Sequence, residues 1–158
     1  MKLIKVLITG GAGYVGSVLV GQLLKKNYNV TIYDNLTFGG DHLIHFFSYK
    51  NFEFVKGDVR DENNLRRVMK DKDIVIHLAA IVGYPACSKD PQLAKDINYN
   101  GTKKLLKCRS GNQPIFFAST GSNYGSIDEI CTEETKVNPL TTYAKTKDKA
   151  EQLITNSN

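Results

Sequence analysis

Three glycines and a tyrosine–lysine pair are the residues whose types and spacing suggest chemistry. Gly10, Gly13 and Gly16 stand as Gly-x-x-Gly-x-x-Gly between an apolar run and a stretch with helical spacing. In a turn from a strand into a helix, backbone N–H groups and the positive end of the helix dipole can bind a pyrophosphate. Because glycine turns after strands are common, the motif alone leaves an ordinary turn as an equal alternative to dinucleotide binding.

Asp34 is the residue that favours one dinucleotide over another. It ends the apolar segment 29–33, about 20 residues beyond the glycines, where a carboxylate can accept hydrogen bonds from adenosine ribose hydroxyls. Such a carboxylate repels a 2′-phosphate, and no arginine follows it directly. The sequence therefore predicts NAD rather than NADP as the cofactor, with an Asx cap of the following turn as the alternative.

Tyr143 and Lys147 form the second element. Four residues apart, they share one face of a helix, and an ammonium group beside a phenol lowers the pKa of that phenol from its usual value of about 10. Such a tyrosine can take the proton from a sugar hydroxyl while a hydride leaves the same carbon. A pair with this spacing also occurs by chance on surface helices. Ser119 and Thr120 follow an apolar segment, where a hydroxyl could bind the substrate oxygen or simply cap the strand.

Alternating strand and helix patterns predict the scaffold that positions these residues. We expect an α/β fold with a doubly wound parallel sheet of strand order 3-2-1-4-5, whose carboxyl edge carries the ligand. The predicted strands are 3–9, 29–33, 52–55, 74–78 and 115–118. The predicted helices are 14–27, 62–70, 91–109 and a last one from 141 or 142 towards 154. The segments 81–90 and 119–139 are predicted to be loops.

Apolar positions indicate where the core lies. Apolar residues at helical spacing predict that a helix follows the glycine turn, namely Val15, Val18, Leu19, Leu23 and Leu24. A group of aromatic residues is interpreted as core rather than as a platform for stacking bases, because no RNA-binding motif surrounds it. These residues are Phe46, Phe47, Phe52 and Phe54.

Size and composition bound the class of protein. The chain has 158 residues, of which 41% are hydrophobic and 23% charged, so one globular domain over 1–158 is expected. No apolar run approaches the ~20 residues that span a membrane, and no signal-peptide pattern opens the chain, so we expect a cytoplasmic protein with no membrane partner. The net charge of +5 comes from scattered basic residues, which indicate solvated helix faces. Nucleic acid is therefore not expected as a partner, and the basic balance is the one feature in its favour.

The three cysteines give a weak signal. Cys87, Cys108 and Cys131 are widely spaced without a Cys-x-x-Cys motif, so neither a disulfide framework nor a zinc site is expected. A catalytic role for the Cys87 thiol would need a nearby base.

The three histidines do not predict a metal site. His42 and His45 could share a helical face, but the sequence offers no third ligand beside them. His77 ends a predicted buried strand and is interpreted as structural.

Taken together, the motifs are more specific than any one of them. The chain is similar to the short-chain dehydrogenase/reductase superfamily, in its extended branch of NAD-dependent nucleotide-sugar epimerases and dehydratases. The resemblance implies a Rossmann fold with a tightly held, recycled NAD. The matching segments run in the family's order: Gly10-x-x-Gly13-x-x-Gly16, Asp34-Asn35-Leu36, Gly57-Asp58-Val59-Arg60-Asp61, His77-Leu78-Ala79-Ala80, Asn98-x-x-Gly101-Thr102, Ser119-Thr120-Gly121-Ser122-Asn123-Tyr124-Gly125 and Asn138-Pro139-Leu140-x-x-Tyr143-x-x-x-Lys147-x-x-x-Glu151.

The resemblance also implies roles for these residues. Thr120, Tyr143 and Lys147 would be catalytic, with Tyr143 as the base and Lys147 holding the nicotinamide ribose. Asp58 would contact the adenine ring, and Tyr124 would lie beside the substrate. The implied cofactor-binding residues are Gly10, Gly13, Tyr14, Val15, Gly16, Asp34, Asn35, Asp58, Val59, Leu78, Ala79, Ala80, Ser119, Tyr143, Lys147 and, in support of the active-site helix, Asn98.

Two departures from the family pattern refine the prediction. The 4,6-dehydratases carry Asp-Glu directly after the threonine, whereas Gly121 and Ser122 stand here, so epimerisation of a nucleotide sugar is favoured over dehydration or reduction. Relatives run to about 300 residues, so the chain is expected to lack the C-terminal substrate domain. The alternative to an epimerase, or the cofactor half of one, is a non-catalytic NAD(H)-binding module or subunit. A partner chain, or a homodimer through helices 91–109 and 141–156, could complete the site.

Overall fold

A parallel five-stranded sheet forms the centre of the computed structural model, which describes residues 3–128 and 130–157. Its order is β3-β2-β1-β4-β5, and all four neighbouring pairs are parallel. The strands are β1 (Lys5–Thr9), β2 (Asn29–Asp34), β3 (Phe52–Lys56), β4 (Ile74–His77) and β5 (Ile115–Phe117). The predicted doubly wound fold and its strand order are confirmed.

The central strand β1 sets the position of the site. Leu7 lies opposite Thr31 of β2 on one side and opposite Val75 of β4 on the other. The chain runs outward from β1 to β3 and then returns to the other side of β1 for β4. The connections therefore diverge beyond the carboxyl ends of β1 and β4, which is where a doubly wound sheet leaves a crevice.

Helices cover both faces of the sheet. The α-helices are α1 (Tyr14–Lys25), α2 (Glu62–Met69), α3 (Tyr84–Lys89), α4 (Pro91–Ala94), α5 (Thr102–Cys108) and α6 (Thr142–Thr155). A π-helical segment, Lys95–Gly101, joins α4 to α5, so the predicted helix 91–109 is present with a widened middle. Two 3-10 segments lie at Asp41–Ser48 and Gly121–Tyr124.

Side-chain caps explain where several helices begin. Asp61 accepts a hydrogen bond from Asn64 N at 3.1 Å, as predicted for the N-cap of α2. Thr141 accepts one from Ala144 N at 3.1 Å and so starts α6. The sequence therefore predicts the beginning of both α2 and α6 from a short polar capping residue.

The prediction of a loop over 81–90 is wrong, because α3 lies within it. Gly83 precedes the helix with φ 86°, and Pro85 occupies its first turn, where a missing N–H is harmless. Cys87 is the buried residue of this helix. Six residues are too few to show helical periodicity, so the sequence pattern could not reveal it.

The core lies in two layers, one on each face of the sheet. The buried side chains of one layer include Leu7, Tyr33, Leu65, Met69 and Leu105, and those of the other include Val6, Ile8, Val20, Leu24 and Ile32. Phe47, which was predicted to be core, is exposed instead, and Val15 and Val18 of α1 are exposed as well. The buried face of α1 is Gly16, Val20 and Leu24, because the glycine lets the helix approach the turn closely. Leu19, Leu23, Phe46, Phe52 and Phe54 are partly buried against the second layer.

Residues 3–128 and 130–157 show neither of two features typical of other classes of protein. No helix there is both long and apolar enough to cross a membrane. Within the same ranges, no three His, Cys, Asp or Glu side chains are grouped as a metal ion would require. Among the free cysteines, Cys87 and Cys108 are buried and Cys131 is exposed.

Candidate functional site

A groove of about 560 Å³ lies at the carboxyl edge of the sheet, where the crevice is expected. It runs between the glycine turn and α6, across the ends of β1 and β4. Most of the residues predicted for a dinucleotide site line it together. These are Gly10, Gly13, Tyr14, Val15, Gly16, Asp34, Asn35, Asp58, Val59, Leu78, Ala79, Ala80, Ser119, Tyr143 and Lys147.

The glycine turn is shaped by two close backbone approaches. Gly10 has φ 72°, and a Cβ at this position would lie 2.5 Å from Ala79 N, so the exit from β1 passes directly against the end of β4. A Cβ on Gly16 would lie 2.5 Å from Gly11 O, so α1 can begin immediately behind the turn. Both positions require glycine.

The beginning of α1 is open to the groove. Its N-cap is Gly13, which offers no side chain to the first N–H groups, and its first turn contains no acidic residue. The N–H groups of Tyr14, Val15 and Gly16 precede the first helical hydrogen bond, from Ser17 N to Gly13 O. Free N–H groups at the positive end of a helix are suited to an anion such as a pyrophosphate.

Asp34 combines a position at the groove with the cap of the turn that follows β2. It lines the groove, and its carboxylate accepts hydrogen bonds from Ala12 N at 3.0 Å and from Leu36 N at 2.8 Å. The cap of the following turn and the carboxylate at the groove are therefore the same group. A carboxylate has about four acceptor positions, so two of them remain for a ligand.

Asp58 is held by an arginine that the sequence analysis gave no role. Arg60 donates to its carboxylate through Nε at 2.9 Å and Nη2 at 2.7 Å, and Asn35 Nδ2 donates at 3.1 Å. These hydrogen bonds, chiefly those from the Arg60 side chain, lower the pKa of Asp58 to about 2. The carboxylate is thus ionised and fixed in orientation at one end of the groove.

Tyr143 and Lys147 lie one turn apart on α6, and both line the opposite end of the groove. Lys147 is 3% exposed, and its Nζ lies 3.9 Å from the centre of the Phe117 ring. Among the described residues, this ammonium group forms no hydrogen bond or ion pair. Burial lowers the pKa of Lys147 to about 8, and the charge of Glu151 opposes that shift. A buried cation with unused donors therefore faces the groove.

Three predicted site residues do not line the groove. Thr120 caps the 3-10 segment Gly121–Tyr124, with its Oγ1 accepting from Ser122 N at 3.2 Å. Tyr124 lies at the end of the same segment, half-buried. Asn98 is buried and does not itself line the groove.

Asn98 holds two walls of the groove together. Its side chain accepts from Ile81 N at 2.8 Å and donates to Ile81 O at 3.0 Å and to Thr146 Oγ1 at 3.2 Å. It thereby joins the segment after β4 to α6, which is the supporting position that the resemblance implied.

Several lining residues were missed because their side chains carry no recognisable chemistry. They follow β2 and β4 at the same edge of the sheet, so the predicted topology is the signal that could have found them. They include Thr37, Phe38, Gly39, Ile81, Val82 and Ala86.

Two further candidates have other roles. Cys87 is buried, donates from Sγ to Ile81 O at 3.3 Å, and has a pKa raised by burial, which opposes a thiolate nucleophile. His77 is buried between Thr9 Oγ1 at 2.6 Å and Thr102 Oγ1 at 3.0 Å. Burial lowers the pKa of His77 to about 3, so it is a neutral structural residue.

Comparison with known proteins identifies the family. The sequence model of the NAD dependent epimerase/dehydratase family matches residues 6–158. UDP-glucose 4-epimerase 2 from Oryza sativa subsp. japonica is 36% identical over 90% of this chain and 38% of its own length. Among solved structures, the UDP-Glc/GlcNAc 4-epimerase from Campylobacter jejuni has a TM-score of 0.91 and 25% identity, covering 98% of this chain and 49% of that one.

A further solved relative contains the predicted cofactor. The UDP-glucose 4-epimerase from Brucella ovis, in complex with NAD, has a TM-score of 0.87 and 30% identity, covering 97% of this chain and 47% of that one. The chain spans about half the length of the relatives it matches. NAD, which Asp34 predicted, is the cofactor for which the family is named. The chain therefore belongs to the NAD dependent epimerase/dehydratase family, as its ordered motifs indicated.

Proposed function

We propose that this chain binds NAD in the groove and carries the cofactor half of a nucleotide-sugar epimerase. The observation that supports this most directly is the pairing of two unsatisfied groups in one groove. The open N-terminus of α1 lies at one end, and the buried Lys147 ammonium without an acceptor lies at the other. A dinucleotide has anionic phosphates and ribose hydroxyls that match these two kinds of donor.

The residues present fit this cofactor. A groove of about 560 Å³ is within the range of small-molecule sites, about 300–1,000 Å³. The N–H groups of Tyr14–Gly16 would hold the pyrophosphate, and Asp34 the adenosine ribose. Asp58 and Val59 would enclose the adenine, and Lys147 would hold the nicotinamide ribose.

In the proposed reaction, NAD supplies a reversible hydride acceptor when it is bound. Tyr143 Oη would accept the proton of the sugar hydroxyl, and Lys147 lies one helical turn away on the same lining of the groove. Thr120 accepts a hydrogen bond from Ser122 N, which leaves the proton of its hydroxyl to donate to the substrate oxygen. Inversion of the sugar carbon would require the hydride to return to the opposite face of that carbon, while Tyr143 Oη would give the proton back to the carbonyl oxygen.

A nucleotide sugar is the proposed substrate, with Tyr124 beside it. The relatives named above act on UDP-sugars, as their names state. Gly121 and Ser122, which follow Thr120, carry no carboxyl group that could serve as acid or base for water elimination. Epimerisation is therefore proposed ahead of dehydration or reduction.

The second candidate is a non-catalytic NAD(H)-binding module, or a subunit that needs a partner chain. Two observations favour it: the chain spans about half of its relatives, and Thr120 and Tyr124 do not line the groove. Under this proposal NAD binds, but no sugar is converted and Tyr143→Phe has no effect on function.

We also propose a homodimer through helices 91–109 and 141–156, whose association should depend on salt concentration. A second groove between these helices contains three lysines, Lys95, Lys145 and Lys149. A two-fold axis would bring the same charges together on both copies. Self-association through this face should therefore strengthen as salt is added, which sedimentation velocity can measure.

The deciding experiment is a titration with cofactor followed by a turnover assay. Calorimetry with NAD and NADP should show binding of NAD and at least ~10-fold weaker binding of NADP. The absence of NAD binding by the folded chain would reject both candidates. Turnover of UDP-, GDP-, dTDP- or ADP-sugars that is lost in Tyr143→Phe, with NAD binding retained, supports the epimerase. NAD binding without turnover of any of them supports the module.

A further inference from the structure

A connection between α6 and the turn after β5 is unexplained by the proposed reaction. Glu151 lies on α6 one helical turn beyond Lys147, and its carboxylate oxygen Oε2 accepts two hydrogen bonds. Ser119 Oγ donates to it at 2.5 Å and Asn123 Nδ2 at 2.9 Å. Asn123 Nδ2 also lies 3.2 Å from Ser119 Oγ. One carboxylate oxygen thus joins the end of β5 to α6.

The two donors flank Thr120 in the sequence. Asn123 is buried, and its backbone N donates to Thr120 O at 3.2 Å. Residues four apart on a helix share a face, so Glu151 continues the line of Tyr143 and Lys147. Hydrogen bonds to an ionised carboxylate are shorter and stronger than those between neutral groups. The carboxylate consequently fixes the turn that carries Thr120 relative to the helix that carries Tyr143.

Glu151 also acts on the charge of Lys147. Its carboxylate opposes the lowering of the Lys147 pKa by burial. The other groups that face this lysine are Tyr143 on its own helix, the Phe117 ring on β5 and His77 on β4. His77 is neutral at physiological pH, since burial lowers its pKa to about 3. Within the described part of the chain, Glu151 is thus the anion that supports the ammonium group.

We propose that Glu151 is a positioning residue, an inference that rests on the proposed function of the same site. It does not line the groove itself, whereas Ser119 and Lys147 do. It therefore acts through them: its hydrogen bonds hold the turn with Thr120 against α6, and its charge keeps the Lys147 ammonium available to a ligand.

The first test separates the role of Glu151 as a hydrogen-bond acceptor from the role of its charge. Glu151→Gln keeps an oxygen that can accept from Ser119 and loses the charge, whereas Glu151→Ala loses both. Asp148→Asn is the matched control, because this carboxylate on the same helix contacts Gln152 at 2.9 Å and does not line the groove. We expect the Kd for NAD to rise ~10-fold in Glu151→Ala, less in Glu151→Gln, and not in Asp148→Asn. A folded Glu151→Ala chain with the wild-type Kd would overturn the proposal.

The second test does not depend on NAD. Titration of the Lys147 amine can be followed by NMR on the free chain with isotope-labelled lysine. We expect its midpoint to fall in Glu151→Gln and to stay unchanged in Asp148→Asn; an unchanged midpoint in Glu151→Gln contradicts the electrostatic role. If the wild-type chain binds no NAD, the proposed function fails, and this measurement still decides whether Glu151 supports Lys147.

The third test isolates the hydrogen bonds. Unfolding of Ser119→Ala, Glu151→Ala and the double variant forms a double-mutant cycle. We expect the double variant to lose little more stability than the worse single variant, because both remove the same contact. Losses that simply add would show that Ser119 and Glu151 act independently. Should Glu151→Ala fail to fold, the cycle can be run with Glu151→Met, which keeps the length of the side chain and removes the carboxylate acceptor.

Discussion

The two ends of the groove are built differently. At the end near the glycine turn, both carboxylates already have protein partners: Asp34 accepts from two backbone amides, and Asp58 accepts from Arg60. At the other end, Lys147 is buried with an aromatic ring beside it and no acceptor among the described residues. The carboxylates of the first end are thus held by the protein itself, while the N–H groups at the start of α1 stay free. At the second end, the Lys147 cation is buried without a hydrogen-bonded partner among the described residues. Substitutions can therefore separate what each end contributes to stability from what it contributes to binding.

The largest effect is expected at the glycine turn. Gly10→Ala places a Cβ 2.5 Å from Ala79 N at φ 72°, so the free energy of unfolding should fall by about 3 kcal/mol or more. Gly111→Ala is the control, because Gly111 has φ 53° but no atom within 4 Å of the added Cβ. It should lose about 1–2 kcal/mol, the conformational penalty alone. Urea unfolding measures both, and equal losses would show that the close approach to β4 does not matter.

A large effect on the pH dependence of the free energy of unfolding is expected at Lys147. Its pKa is about 8 in the folded chain and near 10.5 when unfolded, so the unfolded chain binds more protons between these values. Stability contributed by this group should therefore rise as pH increases from about 8 to 10.5, by on the order of 3 kcal/mol. Lys147→Met should lack this rise, because it has no charge to bury. Subtracting the free energy of unfolding of Lys147→Met from that of the wild type at each pH cancels the contributions of other titrating groups. If the two free energies changed in parallel with pH, the burial of a charge at Lys147 would be contradicted.

Asp34 should show an intermediate effect, on binding. Asp34→Ala removes the acceptor proposed for the adenosine ribose and the repulsion of a 2′-phosphate. The Kd for NAD should rise ~10-fold while the preference over NADP shrinks. Asp41→Ala, an exposed aspartate outside the groove lining, provides the comparison. An unchanged ratio of the two Kd values would remove Asp34 from cofactor selection.

The smallest effect is expected at Arg60. Arg60→Gln should raise the pKa of Asp58 from about 2 towards its ordinary value, because the bidentate hydrogen bonds are lost. A carboxyl group with a lowered pKa stabilises the fold above its unfolded pKa and loses that contribution as pH falls towards 2. Arg60 is exposed, so the loss at neutral pH should be below about 1 kcal/mol. NMR titration of Asp58 measures the pKa, and a value still near 2 would assign it to another cause.

The sequence predicted the fold and the first end of the groove well. Glycine spacing and the apolar runs report backbone geometry, which local sequence largely determines, so the sheet order and the positions of Asp34 and Gly10 were predictable. The partner of Asp58 was harder to predict. In the sequence Arg60 looks like an ordinary surface residue, and only the geometry of the turn places its side chain on the Asp58 carboxylate.

The second end of the groove was harder to predict, because its geometry rests on contacts between segments that are distant in the sequence. The 3.9 Å contact between Lys147 and Phe117 joins α6 to β5, and the Glu151–Ser119 hydrogen bond spans 32 residues. No local pattern encodes such contacts. For the same reason, helical spacing predicted α1 but not which of its sides meets the sheet, and Val15 and Val18 are exposed.

The π-helical segment Lys95–Gly101 constrains how this protein can change its length. In a π turn each hydrogen bond spans one residue more than in an α-helix, and each α-helical residue turns the chain by about 100°. Deleting one residue here would restore an α-helix and rotate Asn98 away from Ile81 and Thr146, which it now joins. A substitution at the exposed Lys95 changes only a solvent-facing side chain. A single-residue deletion would instead break the contacts by which Asn98 holds Ile81 against α6. At Lys95, residue number is therefore under tighter constraint than residue type.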